Sequence, residues 1–219
     1  MGELISLSER RRLAPNHQAA RPRAREARPT FSFDLALPET YLAAERVDRY
    51  CHGLRWQPAS APALGAGRPA SGRAANMAAA EERAAALGLP LIWPDPFPMD
   101  ARPAMRCAAR ACELGRGGAF VLAASRLAFC GGFALSDPEV LAEAAAASGV
   151  PLDECLVAAG DVGRDRDIEA AGQRLAAMGA DALPTLRVGR LLFSGEARLP
   201  EALAAIAAAD SASARPATG

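Results

Sequence analysis

Five cysteines and two histidines are the residues of this chain best suited to nucleophilic, redox or metal chemistry, and their spacing argues against most of it. Cys51, Cys107, Cys112, Cys130 and Cys155 are odd in number. No two form Cys-x-x-Cys, the arrangement that lowers a thiol pKa for disulfide exchange. Cys107 and Cys112 stand five apart, a poor spacing for one helix face. Reduced thiols packed as small apolar side chains are therefore expected. With only His17 and His52, and with scattered cysteines, no structural zinc site is expected either.

Two short segments near opposite ends of the chain carry more information. In Phe31-Ser-Phe-Asp-Leu-Ala-Leu-Pro-Glu-Thr-Tyr-Leu-Ala43, a strand runs into a helix through Pro38. Proline suits the first helical turn, where a missing N–H costs nothing. In Asp181-Ala-Leu-Pro-Thr-Leu-Arg-Val-Gly-Arg-Leu-Leu-Phe-Ser-Gly195, Pro184 leads into a hairpin around Gly189. A thioredoxin-like fold brings two such segments together at one site.

The elements between them follow from periodicity and punctuation. Strands are predicted over 30–35 and 54–57, with a helix from Pro38 to Tyr50 between them. A Pro-, Gly-, Ala- and Ser-rich loop covers 58–72. Helices follow over 74–87, 103–114, 119–129, 136–148, 152–159 and 165–178, several of them stopped by glycine. The proline-rich run 89–98 is an extended connector. Ser136 and Glu139 read as a capping box. The chain returns to β structure at 185–188 and 190–193 and closes with a helix over 200–209. The order is β-α-β, a helical block, then α-β-β-α: an α/β thioredoxin-like fold with a large all-helical insertion. The predicted boundaries are an Arg-rich leader at 1–29, a thioredoxin-like domain at 30–72 and 163–209, a helical insertion at 73–162, and a polar tail at 210–219. The leader and tail are expected to be disordered.

Composition narrows the function classes. The chain has 219 residues, 51% of them hydrophobic, enough for a sizeable core. Every basic residue is arginine, and the formal net charge is zero, which argues against a nucleic-acid binder. The charge is uneven. Residues 1–30 hold seven arginines against Glu3, Glu9 and Glu26, a net +4 that leaves −4 for the rest. Arg10-Arg11-Arg12 invites a twin-arginine export reading, but no apolar stretch follows it. No apolar run reaches bilayer length. A soluble, cytoplasmic protein without membrane or nucleic-acid partners is expected.

This order of elements, with these segments, resembles the 2-hydroxychromene-2-carboxylate isomerase family, which groups with kappa-class glutathione transferases and DsbA-type thiol oxidoreductases. The resemblance runs from about Phe31 to Ala209. Its most specific stretches are Gly88-Leu-Pro-Leu-Ile-Trp-Pro-Asp-Pro-Phe-Pro98, Leu135-Ser-Asp-Pro-Glu-Val-Leu141 and the Pro184 hairpin. The family's reactive motif looks like F-D-F-x-S-P-x-S-Y-L-A; here it reads Phe33-Asp-Leu-Ala-Leu-Pro-Glu-Thr-Tyr-Leu-Ala43. The register is unbroken, but the serine before the proline has become Leu37, and the second hydroxyl survives as Thr40. In the oxidoreductases the position of Leu37 is the attacking cysteine.

The resemblance implies glutathione as cofactor, a small-molecule substrate and a homodimer. A hydroxyl at a helix N-terminus can donate to the glutathione sulfur, and the helix dipole adds to thiolate stabilisation. Leucine cannot donate, so Thr40 is the remaining catalytic candidate. Pro184 is expected to be cis, exposing the backbone of Leu183 as an edge for a peptide-like ligand. Where relatives read F-W-G-Q-D-R-L, this chain has Phe193-Ser-Gly-Glu-Ala-Arg-Leu199. The acidic residue for the γ-glutamyl amine is Ala197; Glu196 is the nearest acid and Arg198 is retained. Arg126 is the candidate for meeting a substrate carboxylate. Two functions remain open: a glutathione-dependent isomerase or transferase acting on an aromatic carboxylate, and a thioredoxin-fold binding or scaffold protein that has lost catalysis.

Overall fold

The structure, a computed structural model, describes residues 28–51, 53–65 and 72–213. The Arg-rich leader lies outside the described residues up to position 27, as do His17 and His52.

Four short strands form one mixed sheet in the order β2-β1-β3-β4. β1 (Thr30–Phe33) is central. It pairs in parallel with β2 (Arg55–Pro58) and antiparallel with β3 (Thr185–Val188), which pairs antiparallel with β4 (Leu191–Ser194). Gly189 makes the β3–β4 turn with φ +58°, a conformation that favours glycine. Strand alternation splits the sheet chemically. Phe31, Phe33, Trp56, Leu186 and Phe193 share one face by register, and Phe31 meets Trp56 edge-on with centroids 4.8 Å apart. Thr30, Ser32, Arg55, Gln57, Thr185 and Arg187 share the other.

α1 (Pro38–Tyr50) and α8 (Leu199–Ser213) bring Leu42, Val47, Ala202 and Ile206 into the main core with those aromatics. Burying each of the larger side chains among them contributes about 1.5–3 kcal/mol. Between β2 and β3 in the chain come α2 (Arg73–Leu87), α3 (Arg102–Glu113), α4 (Gly117–Phe129), α5 (Pro138–Ser148), α6 (Leu152–Gly160) and α7 (Arg164–Ala177). α3, α4 and α5 continue the same core through Ala108, Phe120 and Leu141. The architecture is the α/β thioredoxin-like fold with a helical insertion.

α7 contributes Ala171 and Leu175 to a second, smaller core with Ala59, Leu64, Ala180 and Leu183. Gly172 allows this approach: a Cβ there would lie 2.4 Å from the Ser60 carbonyl oxygen.

Three local expectations need adjusting. The cap of α5 is Asp137, whose carboxylate accepts from the Glu139 N–H at 2.8 Å. Pro138 occupies the first helical position, which makes the residue before it the cap and displaces Ser136 from that role. α8 continues to Ser213, past its expected end at Ala209, because nothing in that alanine-rich run stops a helix. The strand after Phe33 ends before Leu35, where the chain turns to start α1.

Candidate functional site

β1, α1 and the Pro184 hairpin meet at one end of the sheet. Leu37 is the N-cap of α1, with extended backbone angles and no side-chain hydrogen bond to the helix. A polar cap there would satisfy one of the helix's leading N–H groups. Leu37 instead packs, half-buried, against the small core that contains Leu183.

Thr40 is fully buried. Its Oγ1 donates to the Asp34 carbonyl oxygen at 2.7 Å and accepts from the Asp34 N–H at 3.4 Å. The hydroxyl thus closes the turn between β1 and α1, and its donor is committed to that turn. The Leu183–Pro184 peptide is cis. The Pro184 carbonyl accepts from the Gly195 N–H at 2.9 Å, which fixes the hairpin's return beside the turn. Leu183 makes no backbone hydrogen bond to another described residue, yet it is only 5% exposed. Leu37, Thr40, Leu183 and Pro184 therefore converge. The first packs against the small apolar core to which the third belongs.

Glu196 sits in a 3₁₀ turn (Glu196–Arg198) and is 6% exposed. Arg83 of α2 binds it in a fork, Nε at 2.7 Å and Nη2 at 2.9 Å, and Arg46 of α1 pairs with it from the other side. Its charge is spent on holding two helices. The same bond to Glu196 pushes the Arg83 guanidinium pKa up. Arg198 turns outward, bonds Glu201 at 2.7 and 2.9 Å, and lies 5.6 Å from the Phe193 ring centroid. Arg126, in the last turn of α4, is bound in a fork to the buried Glu45 of α1 at 2.5 and 2.8 Å. The structure thus pairs Arg126 with Glu45 and Arg198 with Glu201.

Sequence reasoning passed over Asp34, although it lies inside the motif quoted above. It is 7% exposed. Oδ1 accepts from the Ala36 N–H at 3.0 Å and Oδ2 from the Ala61 N–H at 2.9 Å, so the carboxylate ties the turn before α1 to the loop after β2. Burial pushes its pKa up, against the opposing pull of the two N–H groups. Glu39, in the first turn of α1, has a buried Oε2 without a hydrogen-bond partner among the described residues. The signal that could have found both is a carboxylate on either side of the Leu37–Pro38 step. Tyr41, one position past Thr40, donates to the Pro90 carbonyl at 3.0 Å and accepts from Cys130 Sγ at 3.1 Å. Burial, then the Cys130 bond, holds its proton on.

The described thiols do not serve this end of the sheet. Cys51 caps the far end of α1, where burial and then Asp210 raise its pKa. Burial pushes Cys112 up to about 12. Cys107 is raised by its contact with Cys155, then by burial, and both are sealed in the core. Among the described residues no group of three or more His, Cys, Asp or Glu is placed to hold a metal ion, and no helix is long and apolar enough to cross a membrane.

This geometry has relatives among solved structures. A 2-hydroxychromene-2-carboxylate isomerase superposes with a TM-score of 0.72 at 15% identity, over 86% of this chain and 98% of that one. The chain has the fold of the DsbA/2-hydroxychromene-2-carboxylate isomerase-like group. A protein described as a DsbA oxidoreductase, from Streptomyces coelicolor, gives a TM-score of 0.61 at 21% identity over 88% and 92% of the two chains. One described as a protein disulfide isomerase, from Nitrosomonas europaea, gives 0.63 at 16% over 84% and 99%. No protein-family model matches the sequence, and no curated protein matches it.

Proposed function

We propose that this is a binding protein on the DsbA-like fold in which thiol chemistry has been replaced by an apolar contact. The observation that carries the reading is the packing of Leu37 into the small core that contains Leu183. Leu37 stands where a thiol-activating group would cap α1, and Leu183 would supply the ligand edge. Two further facts support it. The Thr40 donor is spent on the Asp34 carbonyl, and Glu196 is saturated by Arg46 and Arg83. A thiolate placed at this helix end would find the Thr40 hydroxyl donor already committed and the expected acid, Glu196, already paired.

The second reading is a glutathione-dependent isomerase or transferase acting on an aromatic carboxylate, working as a homodimer. The Leu183 backbone, which makes no hydrogen bond to another described residue, favours it, since a free edge suits an extended γ-glutamyl peptide. Isothermal titration with reduced glutathione separates the two. The binding-protein reading expects no saturable heat with the native chain at millimolar glutathione, and heat restored by Leu37→Ser. Saturable binding by the native chain that Pro184→Ala weakens would overturn it and bring the enzyme reading forward.

A further inference from the structure

A groove of about 1050 Å³ runs along the free edge of β2, between the first turn of α4, the C-terminal end of α3 and the flank of α7. Leu37, Thr40, Leu183 and Pro184 do not line it. Its volume is at the upper end of ordinary small-molecule sites, roughly 300–1000 Å³.

Its charge sets it apart. Elsewhere arginines are commonly matched to carboxylates, as Arg83 is to Glu196 and Arg106 to Asp165. Arg28, Arg55, Arg116, Arg174 and Arg187 make no ion pair with any described residue, and all five line this groove. Three carboxylates line it as well: Asp48, Asp167 and Glu113, the last already bound to Arg110 and Arg164. In a chain of zero net charge, five unmatched guanidinium groups around one concavity are a concentrated positive field.

Register gives the field a shape. Thr30 of β1 faces Arg55 on one side and Arg187 on the other, so the two arginines rise from the same face of the sheet. They are two strand spacings apart, about 10 Å. From the far side the first turn of α4 contributes Gly117 and Gly118. Its N-cap, Arg116, makes no side-chain cap bond, so the helix opens toward the groove with unsatisfied N–H groups and positive dipole charge. One small anion meets one of these features. Donors spread this widely match a molecule that carries separate anionic groups, each able to take a planar guanidinium fork.

We infer that this groove binds a small polyanion carrying two or more phosphate or carboxylate groups, at a site separate from the cis-proline end of the sheet. The test is calorimetric titration with pyrophosphate and, separately, citrate, which distinguishes the two oxyanion classes. The native chain, the double variant Arg55→Gln/Arg187→Gln and the control Arg190→Gln are compared. Arg190 lies in the β3–β4 turn, outside the groove. The expected result is saturable binding of at least one probe, weakened at least about tenfold in the double variant and unchanged in the control. Unfolding midpoints of all three chains should agree, since no ion pair is removed. No saturable binding of either probe, or equal weakening by Arg190→Gln, overturns the inference. Tighter binding of a short single-stranded oligonucleotide than of both probes overturns it as well, in favour of a nucleic-acid surface.

Discussion

Of the helices that begin without a side-chain cap, two have been put to opposite uses. α1 starts at Leu37 and α4 at Arg116. Each carries the same local physics, a turn of unsatisfied N–H groups and a positive dipole end. At α1 that end is closed in by Leu37, by the small core around Leu183 and by a hydroxyl turned back on its own turn. At α4 it faces an open groove where five arginines outnumber three carboxylates and make no ion pair with any described residue. A helix N-terminus is therefore not a site by itself. What stands in front of it decides whether an anion can use it.

The largest test of the contrast is Glu196→Ala. Glu196 is the one buried acid that holds α1, α2 and the hairpin's return together, through Arg46 and Arg83. Removing it strands the partly buried Arg46 charge, so a loss of about 3 kcal/mol is expected in urea unfolding. Polyanion binding in the groove should be unchanged. A loss under about 0.5 kcal/mol would mean that Glu196 is not a structural clamp and is available to a ligand.

Thr40→Val comes next. The substitution keeps the shape and removes the hydroxyl, so the buried Asp34 N–H loses its acceptor and the Asp34 carbonyl keeps the Leu37 N–H at 3.2 Å but loses its shorter bond. A cost of about 1–2 kcal/mol is expected, with Thr40→Ser restoring most of it. If Thr40→Val left stability untouched but altered any glutathione response, the hydroxyl would belong to the ligand and not to the turn.

Asp34 gives a pH signature. Burial raises its folded pKa above the unfolded value of about 3.9. The folded state therefore holds the proton more tightly than the unfolded one. Its contribution to stability is fully present below the unfolded pKa and is lost as pH rises through the folded pKa. Chemical unfolding measured stepwise across the acid range should show that decline, and Asp34→Asn should flatten it. An unchanged slope in Asp34→Asn would assign the decline to other carboxyls.

How much of this was legible beforehand follows from what each residue depends on. The strand Thr30–Phe33, the helix from Pro38 and the glycine turn at Gly189 depend on local pattern, and the sequence analysis placed all three. The cis peptide before Pro184 was legible through resemblance. The fate of Thr40, Glu196 and Arg126 was not. A hydroxyl two residues into a helix reads the same whether it faces a ligand or its own turn. Only the tertiary placement of Asp34, Arg46, Arg83 and Glu45 settles that. The groove was hidden for a related reason: Arg55, Arg174 and Arg187 lie far apart in the chain, and a neutral total conceals their convergence.

Leu37→Ser has the smallest expected effect on stability and bears most directly on the comparison. Serine at an N-cap can accept from the leading N–H groups of α1, a gain of about 1 kcal/mol. Taking Leu37 out of its half-buried contact with the small core costs a similar amount, about 1–1.5 kcal/mol. The two nearly cancel, so the unfolding midpoint should barely move. Ligand behaviour should move instead. With the leucine gone, the α1 end presents a hydroxyl and a more open Leu183 edge, as the α4 end presents guanidinium groups. Glutathione binding that appears in Leu37→Ser, while polyanion binding in the groove stays as it was, would show that one side chain separates the two helix ends. If glutathione still failed to bind, the closure would have to extend beyond Leu37 into the rest of the small core, and the α1 end would be structural throughout.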